Sequence, residues 1–273
     1  MPARFENKVA LITGAARGLG ASHALAFARE GANVVVVDIC HDLPCARYPM
    51  GSEGEMNRVV KEIRALRRGA IAIKCDVTNA QDVESMVRRV VDEFDRIDIL
   101  VNNAGIAFAQ TPVWEVDEET WDLTVDIMLK GTYLCSKYVL PHMIEQQYGK
   151  IVNASSIAAR AQRYNAPYSA VKAAIEVLTL SMAKDAGEYN VNVNCVAPGG
   201  VRTPMVMGVF KDAIRDSGLS EDEFYAAACK QFSILGREIT EEDISDAVLF
   251  LCSEKARNVN GQVLYVDGGF LRM

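Results

Sequence analysis

The 273-residue chain is half apolar, 24% charged and 7% aromatic, a balance that suits a buried core and excludes a solvated, disordered polymer. Its formal charge of -7, with no basic run beyond Arg67-Arg68 and Arg88-Arg89, excludes a phosphate-backbone binder, so no nucleic acid is expected as a partner. No apolar stretch approaches the ~20 residues of a spanning helix, and residues 1–8 lack a signal-peptide core, so the reading is a cytoplasmic protein with no membrane partner.

Residues 8–13, Lys-Val-Ala-Leu-Ile-Thr, read as a strand running into Gly14-Ala-Ala-Arg17-Gly18-Leu19-Gly20 and then a helix through Glu30. Glycines let a backbone approach a pyrophosphate with no Cβ in the way, and a helix N-terminus adds unpaired N–H groups. The G-x-x-x-G-x-G spacing differs from the G-x-G-x-x-G fingerprint of dinucleotide sites. Residues 33–38 read as a buried parallel strand ended by Asp38. An acid ~20 residues past the glycine turn accepts hydrogen bonds from adenosine ribose hydroxyls and repels a 2'-phosphate, which favours NAD over NADP. Arg17, a cation beside the turn, weighs the other way, and Asp38 can also be read as a turn residue closing a strand.

Residues 39–51, with two prolines and no period, read either as a loop inserted near the adenosine end of the site or as a tolerated surface insertion. A helix over about 52–67, a strand over 70–75 ending in Asp76-Val77, a helix over 80–94 and a strand over 97–101 leading to Asn102-Asn103-Ala104-Gly105 follow. Ligands of open parallel sheets bind beyond the carboxyl ends of the strands, so Asp76 and residues 102–105 are expected to face a cofactor. A long helix over 118–147 and a strand over 150–154 then deliver Ser155-Ser156.

Pro167 opens a helical pattern in which Tyr168 and Lys172 fall one turn apart on one face. Alone, such a pair reads as a solvated helix face. Held together at a site, an ammonium favours the phenolate of a tyrosine that otherwise ionises near pH ~10, and so makes a base. Residues 190–195 alternate like a strand and lead to Pro198-Gly199-Gly-Val201-Arg-Thr203. Segment 204–218, with Met205, Met207, Val209 and Phe210 and no firm period, reads as a flexible apolar substrate lid or as a packed helix. Helices near 220–230 and 241–253, a strand over 262–267 and Gly268-Gly269 close the chain.

Seven strands alternating with helices predict an α/β protein: a single-domain Rossmann fold over residues 1–273, a doubly wound seven-stranded parallel sheet with helices on both faces. Cys40, Cys45, Cys75, Cys135, Cys195, Cys229 and Cys252 form no C-x-x-C pair and read as free thiols. His23, His41 and His142 are far apart and read as structural or surface residues, so no metal is expected.

In their order and spacing, Thr13-Gly14-x-x-Arg17-Gly18-Leu19-Gly20, Asp38, Asp76, Asn102-Asn103-Ala104-Gly105, Ser155-Ser156, Tyr168-x-x-x-Lys172 and Pro198-Gly199-x-Val201-x-Thr203 resemble the short-chain dehydrogenase/reductase family from Lys8 to Gly269. The resemblance implies hydride transfer between a nicotinamide dinucleotide and an alcohol or carbonyl. It gives Tyr168 the proton transfer, Lys172 the lowering of the tyrosine pKa and the hold on the nicotinamide ribose, and Ser156 a hydrogen bond to the substrate oxygen. It assigns Gly14, Arg17, Gly18, Leu19, Gly20 and Asp38 to the adenosine and pyrophosphate, and Asp76 and Val77 to the adenine. Asn102, Asn103, Ala104 and Gly105 fall to the middle of the dinucleotide, and Pro198, Gly199, Val201 and Thr203 to the carboxamide side. It also implies homotetramers that pair the helices near 118–147 and 164–186 across a two-fold axis.

Two departures stand out. Met128 occupies the place of a family asparagine that helps anchor a water in a proton relay; methionine keeps the backbone carbonyl and loses the amide. Ser156, the second of the serine pair, lies one residue nearer Tyr168 than is usual, yet it is preferred to Ser155 because the strand fixes the register on that side. Asp38-Ile-Cys40 with the loop to Tyr48-Pro-Met50, and Ala21-Ser-His23, are similar to a subgroup that includes carveol dehydrogenases. Many of that subgroup are linked to the redox peptide mycofactocin, hold nicotinamide tightly and act on secondary, often alicyclic alcohols. The expectation is therefore an NAD-dependent enzyme for an apolar secondary alcohol and its ketone. The alternatives are a dinucleotide-binding scaffold without turnover and a 3-ketoacyl carrier reductase, the latter opposed by Asp38 and by the lack of a basic patch.

Overall fold

The computed structural model describes residues 3–43, 46, 48–108, 110–161 and 165–272. Among them, β1 (Val9–Thr13), β2 (Asn33–Asp38), β3 (Ala70–Lys74), β4 (Ile99–Asn102), β5 (Gly149–Ala154), β6 (Val191–Pro198) and β7 (Val263–Val266) form one sheet. The strand order is β3-β2-β1-β4-β5-β6-β7, parallel at every pairing. The connecting helices are α1 (Gly18–Arg29), α2 (Glu53–Ala65), α3 (Ala80–Phe94), α4 (Glu118–Thr124), α5 (Gly131–Glu145), α6 (Ala158–Ala161) and α7 (Ala166–Ala186). After β6 come α8 (Pro204–Val209), α9 (Lys211–Ser217), α10 (Glu221–Phe232) and α11 (Glu241–Cys252).

Strands covered on both faces need apolar residues at every position, and the Val34–Val37 run of β2 supplies them. Successive side chains point to opposite faces. Val9, Leu11, Val35 and Val37 therefore pack with Met86, Leu134 and Ile175 of α3, α5 and α7, whereas Ala10, Ile12, Val34 and Val36 pack with Phe27, Ile63 and Val248 of α1, α2 and α11. The chain winds outward through β1, β2 and β3, then returns to place β4 on the other side of β1. Between the carboxyl ends of β1 and β4 the connections part in opposite directions and open a crevice.

One element differs from the sequence reading, and two others are defined more closely. The long helix over 118–147 is interrupted by a π-helical turn, Val125–Lys130, between α4 and α5. Gly131, just past it, packs so closely on Val77 that a Cβ there would lie 2.8 Å from the valine Cγ2. β6 alternates in polarity yet is buried throughout, because the Asn192 and Asn194 amides donate to the carbonyls of Arg257 and Val259. Segment 204–218 is helical, as α8 and α9; Thr203 caps the first through the N–H of Val206, and Pro204 fits its first turn.

Six cysteines are free thiols, and Cys45 lies outside the described residues. Among the described residues no His, Cys, Asp and Glu cluster could hold a metal ion, and no helix is long and apolar enough to cross a membrane.

His23 on α1 is buried against α11, its Nδ1 2.8 Å from the Ser245 hydroxyl. Ser245 donates its one proton to the Glu241 carbonyl, so His23 donates to it through Nδ1–H. Burial lowers the His23 pKa from 6.5 to about 3. Between those values the unfolded chain takes up a proton that the native one refuses, so stability falls as pH falls from 6.5 toward 3. Urea unfolding of the wild type between pH 7 and pH 5 is expected to lose about 2 kcal/mol more than that of His23→Gln, which keeps a donor for Ser245. Equal losses would remove His23 from the account.

Candidate active site

The crevice is bounded first by the turn after β1. Gly14 and Gly18 adopt left-handed φ angles of +64° and +59°. A Cβ on Gly14 would stand 2.8 Å from the Ala104 Cα, whereas one on Gly18 would meet nothing within 4 Å, so the turn is packed behind and open in front. Arg17, at the N-cap of α1, provides no side-chain cap, which leaves the first-turn N–H groups facing the opening. Across the crevice, Thr13 Oγ1 accepts the N–H groups of Asn103 and Ala104, both at 3.1 Å. The Asn103 amide in turn donates to the carbonyls of Thr13 (3.0 Å) and Gly14 (3.1 Å).

At the end of β2 the Asp38 carboxylate is buried and fixed: Oδ2 accepts the N–H of Ala16 at 3.0 Å and Oδ1 that of Cys40 at 3.2 Å. Asp76 Oδ1 accepts the N–H and hydroxyl of Thr78, holding the turn after β3. Gly14, Arg17, Gly18, Leu19, Asp38, Asp76, Val77, Asn103, Ala104 and Gly105 line one continuous pocket, which Pro198, Gly199, Val201 and Thr203 extend beyond β6. Two expected members are elsewhere. Gly20 lies beneath the turn, where a Cβ would collide with the Gly14 carbonyl oxygen, and so serves close packing. Asn102 points into the core, its amide donating to Ser136 and Asn153, because β4 still runs through it and the strand alternation turns it inward.

Asn165 starts α7 by accepting the Tyr168 N–H at 3.0 Å, and its amide ties the Phe108 carbonyl. Tyr168 and Lys172 therefore both face the pocket from the first turns of this helix. The Lys172 ammonium donates to the Ala154 carbonyl at 2.7 Å and stands 5.5 Å from the centroid of the Tyr168 ring. Burial draws its pKa from 10.5 to about 8, against a smaller raising effect of the Cys195 thiol. The two serines separate by their bonds. Ser155 is buried and shares its proton between the Lys172 carbonyl and Glu176, both at 3.1 Å. Ser156 is half-buried on the pocket wall, its oxygen accepting the Ala158 N–H at 3.2 Å.

Met128 is buried beside Gly105 on the same wall, and its carbonyl accepts the Thr132 hydroxyl at 2.7 Å. Sequence reasoning missed Tyr48. Its ring is buried, its hydroxyl accepts the Ala107 N–H at 3.1 Å, and Gly208 of α8 lies so near that a Cβ there would be 2.6 Å from the Tyr48 Cβ. The 39–51 segment thus reaches the pocket itself, although Pro44, Cys45 and Arg47 lie outside the described residues. A tyrosine before a proline in an aperiodic stretch carries no signal for the direction it takes.

The open glycine turn, the free helix N-terminus and the buried carboxylate at the end of β2 fit a dinucleotide. A family described as Enoyl-(Acyl carrier protein) reductase matches residues 14–271. The chain is 37% identical to a (2S)-[(R)-hydroxy(phenyl)methyl]succinyl-CoA dehydrogenase subunit of Thauera aromatica, over 97% of each chain. It is 35% identical to the (-)-trans-carveol dehydrogenase of Rhodococcus erythropolis, over 98% of each. The structure superposes on carveol dehydrogenase from Mycobacterium avium in complex with NAD with a TM-score of 0.94 and 33% identity, covering 99% of this chain and 100% of that one.

A buried ammonium is a burden on the native state. The fall of the Lys172 pKa from 10.5 to about 8 corresponds to roughly 3 kcal/mol at neutral pH, and removing the side chain strips the Ala154 carbonyl of its donor, which costs about 1 kcal/mol. Lys172→Met is therefore expected to stabilise the cofactor-free protein by about 2 kcal/mol in urea at pH 7. The gain shrinks as pH rises from 8 to 10.5, where the wild-type unfolded state surrenders the same proton. A destabilised Lys172→Met protein at pH 7 would contradict this account.

Proposed function

Because the chain belongs to the short-chain dehydrogenase/reductase family, we propose that it is an NAD-dependent oxidoreductase that interconverts an apolar secondary alcohol and its ketone. One observation carries this reading: Ser156, Tyr168 and Lys172 converge on the pocket that also contains the glycine turn and Asp38. The first turn of α1 holds the pyrophosphate, Asp38 the adenosine ribose, Asp76 and Val77 the adenine, and Lys172 the nicotinamide ribose. When bound, the nicotinamide supplies the hydride acceptor or donor.

Tyr168 takes the hydroxyl proton of an alcohol on its Oη, or returns it to a carbonyl oxygen, while the Lys172 ammonium stabilises the charge that develops there. With its pKa at about 8, Lys172 remains mostly cationic at neutral pH. Ser156 donates its hydroxyl proton to the substrate oxygen and fixes its place between Tyr168 and the cofactor cleft. Among the described residues the charged side chains lining the pocket are Arg17, Asp38, Asp76 and Lys172, all assigned to cofactor or proton transfer. The remaining wall, with Ile106, Met128, Met205 and Val206, favours an alicyclic or other bulky apolar alcohol over a charged one. Helices α8 and α9 form the lid, and the Tyr48 bridge from the 39–51 loop to α8 supports slow release of the nicotinamide. Exposed Tyr133 on α5 and Val177 and Leu180 on α7 support a homotetramer built by pairing these helices.

Purified protein given NAD or NADP and a panel of alicyclic, steroidal and linear secondary alcohols is expected to reduce NAD in preference to NADP. Tyr168→Phe should lose on the order of 10²–10⁴ in kcat while still binding NAD. Turnover that survives this substitution, or a preference for NADP, would overturn the proposal. If bound nicotinamide is retained through purification, an artificial electron acceptor is expected to restore turnover. Sedimentation at micromolar concentration should return a tetramer; a monomer would refute the assembly.

A further inference from the structure

Glu176 lies one turn beyond Lys172 on α7, outside the pocket and without a part in the chemistry described above. Its side chain is 4% exposed and every oxygen is engaged. Oε1 accepts the Ser155 hydroxyl at 3.1 Å and the Tyr265 hydroxyl, from β7, at 2.9 Å. Oε2 accepts two N–H groups of Arg160, at 2.8 and 3.2 Å, and the same guanidinium also donates to the Tyr265 oxygen. Arg160 is 63% exposed, so a largely solvated cation neutralises a carboxylate that is almost wholly buried. A buried carboxylate is tolerated only when so fully bonded.

The residues that Glu176 gathers have one thing in common: two of them flank Ser156. Ser155 precedes it directly at the end of β5, and Arg160 follows it on α6. Ser155 is tied to α7 twice, through Glu176 and the Lys172 carbonyl, while the Lys172 ammonium ties the same strand end through Ala154. The Ser156 backbone is thus pinned from both sides to the helix that carries Tyr168.

We propose that Glu176 is a positioning residue that fixes the distance between the Ser156 hydroxyl and the Tyr168 phenol by holding both flanks of Ser156 against α7. This rests on the function proposed above. Glu176→Gln keeps the shape but removes the charge and one of the two acceptor oxygens, which weakens the hold on the Arg160 guanidinium and loosens the α6 flank. Ser155→Ala frees the other flank and leaves Glu176 paired with Arg160.

The test measures kcat, KM for NAD and for the alcohol, the primary deuterium isotope effect with carbinol-deuterated alcohol, and amide hydrogen exchange in wild type and both variants. Glu176→Gln is expected to lower kcat about tenfold. KM for NAD should stay within about twofold, because the glycine turn and Asp38 are untouched. The isotope effect should rise as chemistry becomes slower, and the amides of residues 156–161 should exchange faster while those of β1 and β4 do not change. A folded Glu176→Gln with wild-type kcat and wild-type exchange over 156–161 overturns the proposal. Should Glu176→Gln not fold, Ser155→Ala decides by the same readouts. If the wild type oxidises no alcohol, the functional reading fails by itself, and the exchange comparison alone upholds or overturns the tether.

Discussion

The structure depends on the seam between β1 and β4. At that point the connections run to opposite sides of the sheet, and the two strand ends would part freely unless something joined them. The Thr13 hydroxyl and the Asn103 amide join them with four hydrogen bonds between backbone and short side chains. Because these bonds reach the Gly14 carbonyl, they set the shape of the glycine turn and the aim of the α1 N-terminus. The crevice is consequently a built feature of the sheet, present before anything enters it.

Against this rigid floor, the ammonium proposed to assist the chemistry is held in an environment that resists it. Lys172 is buried where its charge is disfavoured, and its ammonium donates to the Ala154 carbonyl. An environment that penalises a cation makes any negative charge arising nearby more welcome, since the two relieve one another in a medium of low dielectric. The apolar side chains of Met128 and Ile106 line the same pocket. In the proposed mechanism, poor solvation and good chemistry have a single physical origin.

The layered sheet was legible because buried parallel strands demand β-branched runs such as Val34–Val37, and glycines and a proline punctuate the helices that connect them. Most of the pocket was legible too, since strand ends in this topology must converge. What escaped the sequence depended on distant partners. The alternation in β6 announced a strand but not its full burial, because Asn192 and Asn194 are satisfied by carbonyls more than sixty residues away. Asn102 and Asn103 are chemically alike, and only the residue at which the strand ends decides which one turns toward the crevice. The break at Val125–Lys130 contains no glycine or proline, so nothing within that run announced a wider turn. The serine pair was ordered by strand register, while the bonds that occupy Ser155 come from a helix seventeen residues on. Tyr48 sits in a segment where no periodic signal exists to be read.

The contact between Tyr48 and Gly208 bears on how such a site changes over generations. A side chain at position 208 would press into the tyrosine ring, and the ring is anchored through Ala107, so the disturbance would travel into the loop over the dinucleotide. Met205 and Val206 line the pocket on the same short helix without that constraint. Change in the pocket is therefore easier at those two positions, while position 208 is held to glycine by its contact with Tyr48. Diversification of α8 is channelled by the loop behind it.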